Sequence, residues 1–173
     1  MTNEDPGNGA VAVLVGLVLG VVIIGWLLPR RHVVTSSATY RATPETLYGL
    51  IGDSQKWRPD VVSAEDVPDN SGRELVRETT QNGEAIVYQI LDRRAPFSLN
   101  RRIATSNLPY SGNWIFSIEP AGESTVVHIT EDDEVYNPIF RFVSRFILGQ
   151  TRTVDAYLRA LGQATGQQVQ IPE

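Results

Sequence analysis

From Ser111 to Gly162 the chain reads SGNWIFSIEPAGESTVVHITEDDEVYNPIFRFVSRFILGQTRTVDAYLRALG. Within this stretch the hydrophobic period changes from two to about 3.6, and that change decides the fold. Trp114, Phe116 and Ile118 alternate with Ile115, Ser117 and Glu119, so Asn113–Glu119 reads as a strand with three large apolar side chains on its inner face. Pro120-Ala121-Gly122 turns the chain into a second strand, Ser124–Glu131, in which Val127, Ile129 and Glu131 point inward and His128 outward. The acidic run Glu131-Asp132-Asp133-Glu134 lacks the alternating ligands and glycine of an EF-hand loop and reads as a solvated turn. Asn137 then caps a helix with Pro138 at N1, predicted to run to about Gly162. Ile139, Val143, Phe146, Ile147, Val154, Tyr157, Leu158 and Leu161 form its apolar stripe, and Arg141, Arg145, Arg152 and Arg159 its polar face. Gly149, ~1 kcal/mol worse than Ala in a helix, predicts a bend or a close backbone approach midway.

The period of two extends upstream. Val61–Val67, Arg73–Thr79, Ala85–Leu91 and Phe97–Ala104 read as strands, separated by Asp69-Asn70-Ser71-Gly72 and by Gln81-Asn82-Gly83. Asn-Gly is a strong hairpin signal, and short connections between successive strands mean an antiparallel meander. Ahead of it, His32–Arg41 is rich in β-branched residues and reads as a first strand. Thr43-Pro44-Glu45 starts a helix with Leu47, Leu50 and Ile51 on its apolar stripe, and a second short helix is expected around Asp53–Trp57, stopped by Arg58-Pro59. The class is α+β: strand, two short helices, six antiparallel strands and one long amphipathic helix, the only element long enough to cover the apolar face of the sheet.

Before this domain lies GAVAVLVGLVLGVVIIGWLL, Gly9–Leu28, without a charge. At ~1.5 Å per residue it spans ~30 Å, the hydrocarbon thickness of a bilayer. A cleaved secretory signal would need a basic start, a shorter apolar core and a small-residue cleavage site. Here the start holds Glu4 and Asp5, and Trp26-Leu27-Leu28-Pro29 leads into Arg30-Arg31. The segment reads as a retained single-pass anchor over residues 9–29, after a short polar tail at 1–8. Arg30 and Arg31 predict a cell-membrane protein with its folded domain, residues 32–163, on the cytoplasmic side and a flexible tail at 164–173. Gly16 and Gly20 form a GxxxG through which two anchors can dimerise.

The full 173 residues carry 15 Lys and Arg against 20 Asp and Glu, a net charge of −5, which argues against nucleic acid as a partner. Tail and anchor contain two of the acids and no base, which leaves the domain at −3. There is no cysteine, hence no disulfide, thiol nucleophile or Cys-ligated metal, and two histidines are too few for a His-rich site. No phosphate-binding glycine loop, G-x-S-x-G or H-E-x-x-H occurs. No catalytic residue, metal or cofactor is assigned.

The order of elements resembles the helix-grip fold of the START-like (SRPBCC) superfamily, and within it the polyketide cyclase/dehydrase and lipid-transport branch. The resemblance rests on Ala42-Thr43-Pro44-Glu45, Trp57 and Pro59, Gly112-x-Trp114-x-Phe116-x-Ile118-x-Pro120, Ser124 through Glu131, and Asn137-Pro138-x-Phe140-Arg141. It covers Val33–Gly162 and implies a curved sheet of about seven strands gripping the long helix around a cavity. The superfamily hosts binding proteins, carriers and enzymes alike.

For the lining of such a cavity the expected residues are Trp57, Leu75, Arg77, Tyr88, Ile90, Leu99, Arg101, Trp114, Phe116, Ile118, Ile129, Glu131, Phe142 and Phe146. Arg77 or Arg101 with Glu131 would make a structural ion pair; alternatively an inward Arg and Tyr would orient a ligand's carboxylate, carbonyl or phenol. Arg93, Arg94, Arg101 and Arg102, with the arginines of the last helix, form either a patch for anionic lipid or a solvated face. His32 belongs to the basic flank of the anchor and His128 to the surface. The leading functional expectation is a membrane-anchored domain that binds or carries a lipid, quinone or other apolar molecule. A cyclase/dehydratase-like enzyme using Arg101, Tyr88 and Glu131, and an interaction module with a vestigial cavity, are the alternatives.

Overall fold

The computed structural model describes residues 6–53, 57–149 and 151–172. Helix α1 (Pro6–Leu27) is followed by β1 (Arg31–Tyr40) and α2 (Pro44–Gly52). Then come six strands: β2 (Val61–Val67), β3 (Glu74–Thr80), β4 (Ala85–Arg94), β5 (Ser98–Ile103), β6 (Tyr110–Ala121) and β7 (Ser124–Val135). The chain ends with α3 (Pro138–Val143), a π-helical turn (Ser144–Leu148) and α4 (Arg152–Ala164). The expected second short helix falls on residues 54–56, outside the described residues, and Trp57 lies in a turn.

All seven strands form one antiparallel sheet in the order β1-β7-β6-β5-β4-β3-β2, a meander whose first strand closes onto its last. Register shifts at Val61/Ser63 and Ile90/Asp92 bend β2 and β4. Just after α1, Arg31 clamps Asp132 of β7 through two hydrogen bonds of 2.7 and 2.8 Å. The predicted caps are in place: Thr43 Oγ1 accepts from the Thr46 amide, and Asn137 Oδ1 from the amides of Ile139 and Phe140.

The inner face of the sheet and α4 enclose the core. Ala38, Tyr40, Leu99, Phe116, Ile118, Val127 and Ile129 pack against Val154, Tyr157, Leu158 and Leu161, with Leu47 and Ile51 of α2 closing one end. The Tyr40 hydroxyl donates to the Leu158 carbonyl at 2.8 Å. Leu99, Phe116, Ile118 and Ile129, expected around a cavity, are packed in this core instead, and Ile90 packs against it.

Three expectations are corrected. The last helix is not continuous: Gly149, at φ 82° and ψ 142°, ends the π-helical turn and lets the chain restart as α4. Only the second half of its apolar stripe is therefore core, whereas Ile139, Phe146 and Ile147 are exposed. The acidic run is not a turn, because β7 continues through it to Val135. The tail expected to fray after Ala164 packs back: Val169 and Ile171 lie against the core, and Gln167 Oε1 accepts from the Arg41 amide at 2.7 Å.

Helix α1 is long and apolar enough to cross a bilayer, and most of its described side chains are exposed. Among the described residues nothing lies within 4 Å of where a Cβ on Gly16 or Gly20 would sit, while Gly25 meets α3 so closely that a Cβ there would sit 1.9 Å from the Pro138 carbonyl oxygen.

Truncating Leu158 should cost ~2–5 kcal/mol, the range for a fully buried leucine. Tyr40→Phe, which deletes a single hydroxyl, should cost ~0.5–1.5 kcal/mol. Denaturant unfolding of the full chain in detergent, followed by tryptophan fluorescence, reads both.

Candidate functional site: a half-enclosed cavity

Between the sheet and the α3–α4 arm lies a cavity of about 510 Å³. Its apolar lining comes from Ile86, Ile103, Trp114, Val135, Phe140, Ala156 and Ala160, and its polar lining from His32, Arg58, Tyr88, Arg101, Tyr110, Glu131, Asp133 and Tyr157. Of the residues expected there, Tyr88, Arg101, Trp114 and Glu131 line it.

Arg77 and Leu75 do not. In the β3–β4 register Glu78 lies opposite Ile86 and Val76 opposite Tyr88, so Val76 and Glu78 face inward and Leu75 and Arg77 outward. Arg77 is half-exposed and pairs with Glu65 at 3.2 Å. The inward acid is why the alternation misleads: Glu78, 4% exposed, accepts from Arg101 Nη1 at 2.8 Å and from Arg58 Nη1 at 2.9 Å. Arg58 also pairs with Asp60. Burial opposes the charge on Arg101, but Glu78 and the neighbouring tyrosines hold its pKa above the ordinary arginine value. Its guanidinium stacks over Tyr88 at 4.4 Å and lies within 6 Å of the Phe116 and Trp114 rings, at 5.4 and 5.8 Å.

Arg101 does not pair with Glu131. Trp114 stands between them, opposite Arg101 on one side and Glu131 on the other, so two strand spacings, ~10 Å, separate their backbones. Glu131 instead pairs with Asp133, two residues on along the same inner face of β7. Burial, and secondarily the charge of Glu131, push the Asp133 carboxyl up to about 8; burial also raises Glu131. At neutral pH the pair therefore keeps a proton. Asp133 Oδ1 has no hydrogen-bond partner among the described residues and sits where a Cβ on Gly112 would come within 1.6 Å, so a side chain at that position of β6 would displace the carboxyl.

Tyr157 of α4 closes the cavity floor, edge-on to Trp57 and Trp114 with centroids 5.2 and 5.6 Å away. Burial pushes its hydroxyl up to about 12, so it is protonated, and it has no hydrogen-bond partner among the described residues. Trp57 itself lies behind it, its indole donating to the Leu50 carbonyl at 2.6 Å. Phe142 and Phe146 stack on each other at 4.9 Å, away from the cavity.

Arg58, Glu78, Asp133 and Tyr157 are the residues that reading the sequence missed. Asp133 was within reach, since extending the alternation of Val127, Ile129 and Glu131 by one step places it inward. The arginine patch also changes. Arg101 leaves it for the interior, while Arg93 pairs with Glu74, Arg94 with Asp92 and Arg102 with Gln89. His128 is on the outer face, half-exposed and 4.0 Å from Glu119, whereas His32 lines the cavity. Among the described residues no three His, Asp or Glu side chains converge to hold a metal ion.

Glu78→Gln should cost ~3–5 kcal/mol, because it leaves the buried Arg101 without its carboxylate. A raised folded-state carboxyl pKa makes stability fall as pH rises from the unfolded value, ~3.9, to about 8 for Asp133, and level off above it. Asp133→Asn should flatten that fall and stabilise the protein by ~1–3 kcal/mol at pH 8.5, with little change at pH 4; melting temperatures across this range test it.

The sequence profile of the polyketide cyclase/dehydrase and lipid transport family matches residues 31–164. Among curated protein sequences nothing matches. Similar solved structures include an uncharacterised protein of Bacillus thuringiensis, 15% identical, with a TM-score of 0.61 over 79% of this chain and 100% of that one. A START superfamily protein of Mycobacterium smegmatis is 18% identical, with a TM-score of 0.57 over 78% of this chain and 95% of that one. The Zhui aromatase/cyclase of a Streptomyces species is 16% identical, with a TM-score of 0.56 over 78% and 93%. At these identities the structures speak for the fold alone. The strand order, the gripped helix and the profile match over the whole domain agree: the chain belongs to the polyketide cyclase/dehydrase and lipid transport family, with the START-like helix-grip fold.

Proposed function

We propose that this protein is a membrane-anchored domain that binds, and exchanges with the bilayer, a lipid or other apolar small molecule. The observation that carries the reading is the cavity itself: about 510 Å³, within the usual range for small-molecule sites, apolar over most of its lining, with a few polar groups at fixed places. Tyr88, Tyr110 and the proton-bearing Glu131–Asp133 pair stand on the lining, and Arg101 offers a guanidinium already neutralised by Glu78. A ligand with one or two carbonyl, hydroxyl or phenol groups on an otherwise apolar skeleton satisfies them; a strongly ionic one does not, because the charge of Arg101 is already paired.

Membership of the polyketide cyclase/dehydrase and lipid transport family supports the ligand class. Helix α1 supports the tether, which raises the effective concentration of a ligand dissolved in the membrane. Arg30 and Arg31 at its C-terminal end favour the cytoplasmic side for the domain.

A second reading has one observation in its favour. The Glu131–Asp133 pair holds a proton at neutral pH inside the same cavity, as a general acid for dehydrating a bound polyketide-like chain would. Under that reading Asp133→Asn abolishes turnover; under the first it leaves binding within a few fold.

Native mass spectrometry of the full chain released from detergent should show a one-to-one apolar passenger. Ala160→Trp, which fills the cavity from α4, should lower its occupancy at least tenfold without unfolding the domain. Equal occupancy in the two proteins would place the passenger elsewhere and refute the proposal.

A further inference from the structure

The segment between Asn137 and Gly149 is more apolar on its outside than a water-facing helix should be. Ile139, Phe146 and Ile147 are 46, 59 and 67% exposed. No Asp or Glu occurs from Asn137 to Thr151, whereas Arg141, Arg145 and, just beyond, Arg152 are basic. The same segment is fastened to the end of α1. Arg141, itself 6% exposed, donates from Nη1 to the carbonyls of Leu28 at 2.7 Å and Trp26 at 3.5 Å, which would otherwise be left open at the helix terminus. Gly25 lies against Pro138 backbone to backbone. At ~1.5 Å per residue, the start of α3 is therefore ~4.5 Å toward the membrane side of Leu28. Interfacial helices bury their apolar side chains to a depth of ~5–10 Å at the headgroup boundary. Trp26 and Leu27, 70 and 72% exposed, sit at the same level.

We infer that residues 138–148 lie in the bilayer interface on the side where α1 emerges, with Phe146 and Ile147 inserted among the acyl chains. The occupant of this exposed apolar face is the lipid surface. The segment is basic, with no acid from Asn137 to Thr151, which suits an anionic surface, and its exposed face continues directly from the span. The inner side of the segment is also the rim of the cavity, which Phe140 and Ser144 line together with Gly149 and Arg152. The mouth therefore opens at the membrane surface, and an apolar ligand passes between bilayer and cavity without crossing water. This inference rests on reading α1 as a membrane anchor, and the experiment separates the two.

The chain has no cysteine, so single cysteines can be introduced into the full protein and labelled with a bimane fluorophore. Phe146→Cys and Ile147→Cys report on the segment, Val18→Cys, 51% exposed at mid-span, on the anchor, and Val62→Cys, 53% exposed on β2, on a water-facing apolar site. Each is reconstituted in phosphatidylcholine/phosphatidylserine vesicles containing lipids with a nitroxide at acyl carbon 5 or 12. The expected result is quenching at 146 and 147 at least threefold above that at 62 and stronger with the shallow nitroxide, while 18 is quenched best by the deep one. Quenching at 18 with 146 and 147 no different from 62 overturns the inference and leaves the anchor standing. No quenching at 18 removes the anchor, and the inference with it.

Discussion

A buried carboxylate cannot stay in the inner wall of this sheet without cations, and Glu78 has two. Taking an ion out of water costs several kcal/mol even after relaxation, so the position survives only because Arg58 and Arg101 each reach one of its oxygens. The arginines arrive from different parts of the chain, one from the turn after α2 and one from the middle of β5. The triad thus ties the closing end of the domain to the sheet and sets which face of β3 points inward. With Arg101 held there, Tyr88, Trp114 and Phe116 stack around its guanidinium, and the aromatic wall of the cavity follows.

The second acidic group is kept apart by Trp114. It occupies the strand position between Arg101 and Glu131, so the two charged clusters cannot neutralise each other directly. Glu131 and Asp133 then meet burial with a shared proton rather than with a cation. The cavity consequently has a neutralised guanidinium at one side, a protonated carboxyl at the other, the Tyr157 ring on the floor and hydrocarbon between them. Such a lining suits an apolar skeleton that carries a few polar atoms. The break at Gly149 lets one arm both cover the sheet and reach α1: α4 packs as core, while the residues before it stay apolar on the outside.

The elements were legible because each carries a local signal. Thr43-Pro44 and Asn137-Pro138 cap helices, Asn82-Gly83 turns a hairpin, and the alternation around Trp114 and Ile129 identifies inward faces; all reappear where the pattern puts them. The phase of β3 was not legible, since an alternation rule sends Leu75 inward and Glu78 outward, and only a partner 23 residues away in sequence reverses it. Asp133 was hidden by its neighbours, because four acids in a row look like a turn and alternate faces only once they lie in a strand. The split of the last helix left a single sign, Gly149. Its consequence, that Phe146 and Ile147 face outward, depends on α1 docking beside α3, which no periodicity within either helix records.

The central claim is that an apolar molecule from the bilayer resides in the cavity. The most direct measurement is photocrosslinking of the full chain in vesicles containing a diazirine-bearing fatty acid, with the adducts mapped by tandem mass spectrometry. The account predicts adducts on the cavity lining, at Ile86, Ile103 and Tyr157, in addition to those on the exposed side chains of α1. Adducts confined to α1 and residues 138–148, with none on the cavity lining, would contradict it.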